Sequence, residues 1–136
     1  MATPQKFNSF TEALCEKVHN LGSDTLKIAL SNTAPSASNT VLANITQISA
    51  GNGYTAGGFA ITVSSSAQSG GTYSLVLNAA TLTASGGSIG PFRYVVLYND
   101  TATNDELIAW LDRGVALTLA DTQSYTLNSA TWLQLV

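Results

Sequence analysis

The chain has 136 residues, 45% of them hydrophobic and only 10% charged, with a net charge of −3. That length fits one domain, which can bury about two-thirds of the surface its unfolded chain exposes. The five Lys and Arg are scattered singly, leaving no basic patch for nucleic acid, and one Cys with one His excludes an internal disulfide and a soft-ligand metal cluster.

Residues 1–8 carry no strong structural signal and read as an N-terminal arm that orders only on contact. They contain no apolar leader, and no run in the chain approaches the ~20 apolar residues of a membrane-spanning helix. The sequence therefore reads as cytosolically made, with no membrane partner. A single domain follows over 9–136. It opens with a helix at about 10–20, where Ser9 is placed to cap, Glu12 stands at the capping-box spacing, and Phe7 faces Ala13 as a weak staple. Phe10, Ala13, Leu14 and Val18 form its apolar stripe, and Gly22 is positioned to end it in a left-handed turn.

From there the apolar period becomes 2. "TLKIALS" at 25–31 alternates, and 32–58 reads as a long surface excursion with a short helical or extended piece at 40–49. Strands are then expected at 59–64, 72–78, 80–84, 92–98, 106–111, 115–119, 124–128 and 131–136, separated by turn chemistry such as "SGG", "DRG" and "NSA". About nine short strands imply a mainly β fold, an antiparallel β-sandwich of jelly-roll or Ig-like type with one short N-terminal helix. "YVVLY" is apolar at every position, which marks either a central strand covered on both faces or a strand with one face in an oligomer interface, with Val95, Leu97 and Ile108 in the core.

Catalytic chemistry finds few partners. Cys15 and His19 are spaced to be neighbours on a helix face, yet no third group orients the imidazole, so His19 reads as a helix C-terminal side chain and Cys15 as an inert thiol. Asp100, Asp105, Glu106 and Asp112 cluster in sequence, but "NDTATNDE" has calcium-type ligands in the wrong order and reads as turn chemistry. "GNGYTAGG" at 51–58 lacks the closing Gly-Lys-Ser/Thr of a phosphate loop and is followed by a strand where a dinucleotide fingerprint needs a helix. It reads as two places of positive φ, Asn52-Gly53 and Gly57-Gly58, holding Tyr54 on a rigid loop.

The ordered set "LKIALSNTAP", "GNGYTAGG", "GPFRYVVLYNDTATNDELIAWLDRG" and "SYTL…TWLQLV" resembles a family of small structural proteins of tailed bacteriophages over residues 8–136. The chain departs from that family at "NSATWLQLV", where an Asp/Gly-containing stretch is usual before the last strand. The resemblance implies a non-enzymatic virion component made in the host cytoplasm, without cofactors. The role it suggests is a capsid decoration (cement) protein that contacts the major capsid protein, with a tail- or fibre-associated protein as the alternative. A homotrimer would suit local three-fold positions of a shell. Candidate contact residues are Tyr54, Phe59, Phe92, Tyr94, Tyr98 and Trp110, with ordinary sandwich core as the equal alternative for each. A glycan-binding module would instead stack sugars on Trp110 and Tyr54 and bond hydroxyls through Asp100, Asn104 and Asp105; a thiol hydrolase would use Cys15 and His19.

Overall fold

The computed structural model describes residues 3–136, and they form two antiparallel layers with one helix. The first layer has the strand order β1 (Gln5–Lys6), β8 (Leu107–Leu119), β7 (Ile89–Asn99), β2 (Leu26–Ser31), β3 (Phe59–Ile61). The second layer holds β4 (Val63–Ser69), β5 (Thr72–Leu77) and β10 (Ala130–Leu135), continued by the pair β6 (Ala80–Thr83) and β9 (Ser124–Leu127).

The continuity of the second layer lies in a repeated stretch. Leu77-Asn78-Ala79-Ala80-Thr81 and Leu127-Asn128-Ser129-Ala130-Thr131 share the pattern Leu-Asn-x-Ala-Thr, and they lie opposite each other, with Leu77 facing Ala130 and Ala80 facing Leu127. Each long strand bends where the two Asn residues interrupt the ladder. Asn78 bonds Thr62 through both its backbone and its side chain, and Ser129 donates its hydroxyl to the Leu77 carbonyl at 2.8 Å. The "NSA" stretch, expected as a turn, is a two-residue break at 128–129 across which the chain runs on from β9 into β10.

β7 is the central strand of the first layer, as its unbroken apolar run requires. Val95 and Leu97 enter the larger core with Ile28, Leu30, Leu75, Leu77 and Leu133 between the layers. Val96 and Tyr98 point the other way, into a second core with Ala29, Leu107, Ile45 and Phe7. Among the described residues no second sheet lies on that side; the 32–58 excursion covers it. Leu42–Asn44 forms a 3-10 turn, and the segment is bonded down by Leu42 N–H to Asp105, Leu107 N–H to Thr40 and Ile48 N–H to Leu30. The expected surface excursion is in fact the lid of a core, since an apolar strand face left in water forfeits about 25 cal/mol for every Å² it exposes.

Of the arm expected over 1–8, residues 1–2 lie outside the described residues, and the part from Gln5 onward needs correction. Gln5 and Lys6 pair with Trp110 and Ala109 along the edge of β8, Phe7 is fully buried against Trp110 with ring centroids 4.6 Å apart, and Phe10 enters the larger core. Two Phe residues three apart are placed on opposite sides of the first layer, which fixes where the chain begins its helix. That helix, α1 (Asn8–Cys15), is shorter than the expected 10–20, and its cap is the backbone of Phe7 with no side-chain bond from Ser9. It ends in a Schellman motif: Val18 N–H reaches the Ala13 carbonyl, Lys17 N–H reaches Leu14, and Lys17 takes the left-handed φ of 70°. A lysine does what glycine usually does, so Gly22 was the wrong stop signal.

Two further strands differ from expectation. The predicted pieces at 106–111 and 115–119 are one strand, β8, because "DRG" is absorbed as a bulge: Asp112 accepts from Gly114 N–H at 2.8 Å, and Gly114 has φ 89°. Serine-rich β4 was unassigned beyond Ser64, because an edge strand facing solvent shows little apolar alternation. Replacing Phe7 by Ala is expected to cost about 3–5 kcal/mol in denaturant unfolding; a change under about 1 kcal/mol would return residues 5–7 to the status of a loose arm.

Candidate functional site

"GNGYTAGG" is a clasp. Tyr54 is 2% exposed, and its ring belongs to the larger core. Beyond Ile28, β2 leaves β3 behind, and the chain beside it there is the 47–48 stretch, through an isolated bridge of Ser31 to Gln47 and the Ile48 N–H bonded to the Leu30 carbonyl. There the Leu30 N–H donates to the Tyr54 hydroxyl at 3.1 Å, and that hydroxyl donates to Gln47 Oε1 at 2.8 Å. Gln47 Oε1 also accepts from Gly57 N–H at 2.9 Å, and the Tyr98 hydroxyl donates to the Gly57 carbonyl. Burial raises both phenols above their ordinary pKa, so each stays a neutral donor. The expected positive φ values are present at Asn52, Gly53, Gly57 and Gly58. At Gly58 the need is steric as well, because a Cβ there would lie 1.7 Å from the Ile28 carbonyl oxygen. Asn52 ties the loop to the segment before β7, donating to the Ser88 carbonyl at 2.9 Å and accepting from Ser85 N–H through its own carbonyl.

The six candidate contact residues therefore divide. Tyr54, Phe92 and Tyr98 are buried in the single chain and offer no ring to a partner. Phe59 is half-buried and packs against the larger core. Tyr94 and Trp110 are partly exposed on the outer side of the first layer, where Tyr94 lies opposite Asp112 and Trp110 opposite Val96. Arg93 lies over the Tyr94 ring and grips Asp112 through two bonds of 2.7 and 3.1 Å. That grip, with Gly114 N–H, holds the Asp112 carboxyl below its usual range. Sugar stacking on a Tyr54–Trp110 pair does not arise, since Tyr54 is buried, and Trp110 lies up the strand from the 100–106 loop that carries Asp100, Asn104 and Asp105.

Asn99 organises the other chemistry-bearing residues. Its Oδ1 accepts from the Thr101 and Ala102 N–H groups, which fixes the amide so that Nδ2 donates to Asp24 at 2.6 Å and to His19 Nδ1 at 3.0 Å. His19 is buried, stacks on Phe10 with centroids 5.2 Å apart, and must carry its proton on Nε2 because Nδ1 is an acceptor. Desolvation lowers its pKa, against the pull of Glu106 and Asp24. Cys15 is exposed at the end of α1, and both residues line a groove of about 730 Å³ between the helix end and the second layer, with Leu14, Val18, Tyr73 and Leu135. An Nε2–H imidazole whose other nitrogen is occupied has no free lone pair to take a thiol proton. Asp105, partly desolvated and crowded by Asp100 and Glu106, is raised above its usual pKa.

The feature that sequence reading missed is where charge is absent. None of β4, β5, β6, β9 and β10 carries a Lys, Arg, Asp, Glu or His, so the second layer has no ionised group in any strand. Its outer side is a field of hydroxyls, with Thr81 against Thr126 at 3.1 Å and Thr83 against Ser124 at 2.7 Å, all four exposed. The signal was available as an interval without charge from Ile28 to Phe92, but only the sheet order shows that strands from the middle and the end of the chain share one uncharged side. No protein-family model, no curated protein and no solved structure matches this chain.

Gly58→Ala is expected to destabilise the fold by at least ~3 kcal/mol in chemical denaturation, since both the φ and the Ile28 backbone oppose a methyl group, whereas Gly22→Ala should change it by less than ~0.5 kcal/mol. Because burial depresses the folded-state pKa of His19, the unfolded chain binds more protons as pH falls below about 6.5; the contribution is fully present above that value and is lost as pH drops toward the folded pKa. Unfolding free energies measured at about pH 5 and about pH 8 should therefore show a drop toward acid that is smaller in His19→Gln; equal slopes for the two proteins would remove His19 as its source.

Proposed function

We propose that this chain is a non-enzymatic structural component of a tailed-bacteriophage virion, a decoration protein that strengthens the shell by lying against the major capsid protein. The uncharged second layer is the observation that carries the reading. A side covered by Thr, Ser, Ala and Gln can be taken out of water without burying an unpaired charge, and short hydroxyls can bond to a partner's backbone. The resemblance in "GNGYTAGG" and "YVVLYNDTATNDELIAWLD" supports the same reading. Both stretches serve the fold: one is the clasp, and the other is the central hairpin of the first layer. Work by contact area needs a rigid body more than a cleft, and the clasp and the lid supply rigidity.

Binding of the purified chain to empty capsids, followed by electron-microscopy reconstruction, tests it. Thr81→Lys and Thr126→Glu, each exposed, should leave the melting temperature within a few degrees and weaken capsid binding about tenfold or more, that is ~1.4 kcal/mol or more. Capsid binding indifferent to both changes, with glycan binding lost on Trp110→Ala, would move the assignment to a tail- or fibre-borne receptor module acting through the Tyr94–Trp110 side.

A further inference from the structure

We propose that β4 is a self-pairing edge, through which two copies of this chain join antiparallel across a two-fold axis at Ala67. β4 ends its sheet and bonds only to β5, and among the described residues no other backbone group reaches Val63–Ser69. Gly70 and Gly71, with φ of 56° and 87°, make a two-residue type I′ connection, so Ser69 and Thr72 are its closing hydrogen-bonded pair. Pairs alternate from there: Ala67 exchanges bonds with Ser74, whereas Ser66 and Gln68 turn their N–H and C=O groups to the open side.

Soluble proteins guard such edges with charge, proline, bulges or cover. Most of the other edges have a guard, and β6 and β9, the two edges of a two-stranded pair, are uncharged strands of only four residues. β1 presents Lys6, the free half of β8 presents Asp112 and Arg113, β3 is a short strand, and β10 is broken by a bulge between Thr131 and Leu133. β4 has its irregularity only at the start, between Val63 and Ser65, which leaves a regular run of five residues ending at the turn.

A second copy is the occupant because a two-fold axis sets every side chain near its own image. Any charge would then face its like, and β4, β5 and their turn contain none, although the whole chain is at −3. With the axis at Ala67, Ser66 of each copy exchanges backbone bonds with Gln68 of the other, and the two Ala67 residues meet as a non-hydrogen-bonded pair with Cα atoms about 4.5 Å apart. A methyl group at that point lets the strands close. A head-to-tail ring, by contrast, would have to use the bulged β10 edge. The contact is narrow and falls below the ~1,200 Å² of a stable interface, so the dimer is weak in dilute solution and gains occupancy where copies are crowded.

Cysteine capture tests it in the full chain with Cys15→Ser. Ala67→Cys should oxidise to a disulfide dimer at least about tenfold faster than the exposed control Thr126→Cys, because the pairing raises the effective thiol concentration. Adding Gln68→Pro, which removes an outward N–H at an edge that tolerates proline, should return the rate to that of the control with the far-ultraviolet circular dichroism unchanged. A rate for Ala67→Cys no faster than the control overturns the proposal. So does indifference to Gln68→Pro in a folded protein, or faster mixed cross-linking of Ala67→Cys to Thr131→Cys, which would signal a head-to-tail ring. These readings use purified chain alone, so a failure to bind capsids leaves them intact.

Discussion

Most of this structure follows from one strand that is apolar on both faces. Val95, Val96, Leu97 and Tyr98 are each almost wholly buried, and two successive residues of a strand can be buried only if something covers each side of it. The second sheet covers one side. The other side is covered by chain with little regular structure, which is why residues 32–58 are long, poor in charge and bonded down at both ends. Phe7 and Phe10 divide between the two cores for the same reason. The clasp completes the arrangement: past the end of β3, the edge of β2 would have an unanswered Leu30 N–H, and the Tyr54 hydroxyl answers it.

Charge follows the same division. The ionised groups sit on α1 and its approach, around the β7–β8 hairpin and its neighbour Lys27, and at the Ala84–Gln123 end; the strands of the second layer have none. Around Asn99 the amide is fixed by two backbone donors and passes its own hydrogens to Asp24 and His19, while among the described residues His19 Nε2 and Glu106 Oε2 are buried without a hydrogen-bond partner. That arrangement spends the His19 lone pair on structure.

Legibility in the sequence tracked how local the cause was. The β class, the central place of "YVVLY" and the left-handed backbone at Asn52, Gly53, Gly57 and Gly58 were readable because each is dictated by the residues that show it. The end of α1 was not, since Lys17 takes a conformation that glycine advertises and lysine hides. β4 was not, because an edge strand facing solvent carries Ser and Gln with weak alternation. Tyr54 was read correctly as a ring on a rigid loop, but its role as a buried donor and acceptor depends on Leu30 and Gln47, which no spacing rule connects to it. Of the contact candidates, Phe92 and Tyr98 are core for a similar reason: exposure is a property of what covers a residue, and the cover lies far along the chain. The uncharged side needed sheet order, since it combines strands from the middle and the end of the sequence.

The separation of hydroxyls from charges also gives the two sides different responses to ionic strength. Coulombic contacts through Arg93, Asp112 or the carboxylates near Asn99 are screened over a Debye length of ~8 Å in physiological salt and less in brine, whereas hydroxyl and backbone bonds on the second layer are nearly indifferent to it. Salt therefore acts unequally on the two sides of this body, weakening contacts made through the charged side far more than contacts made through the uncharged one.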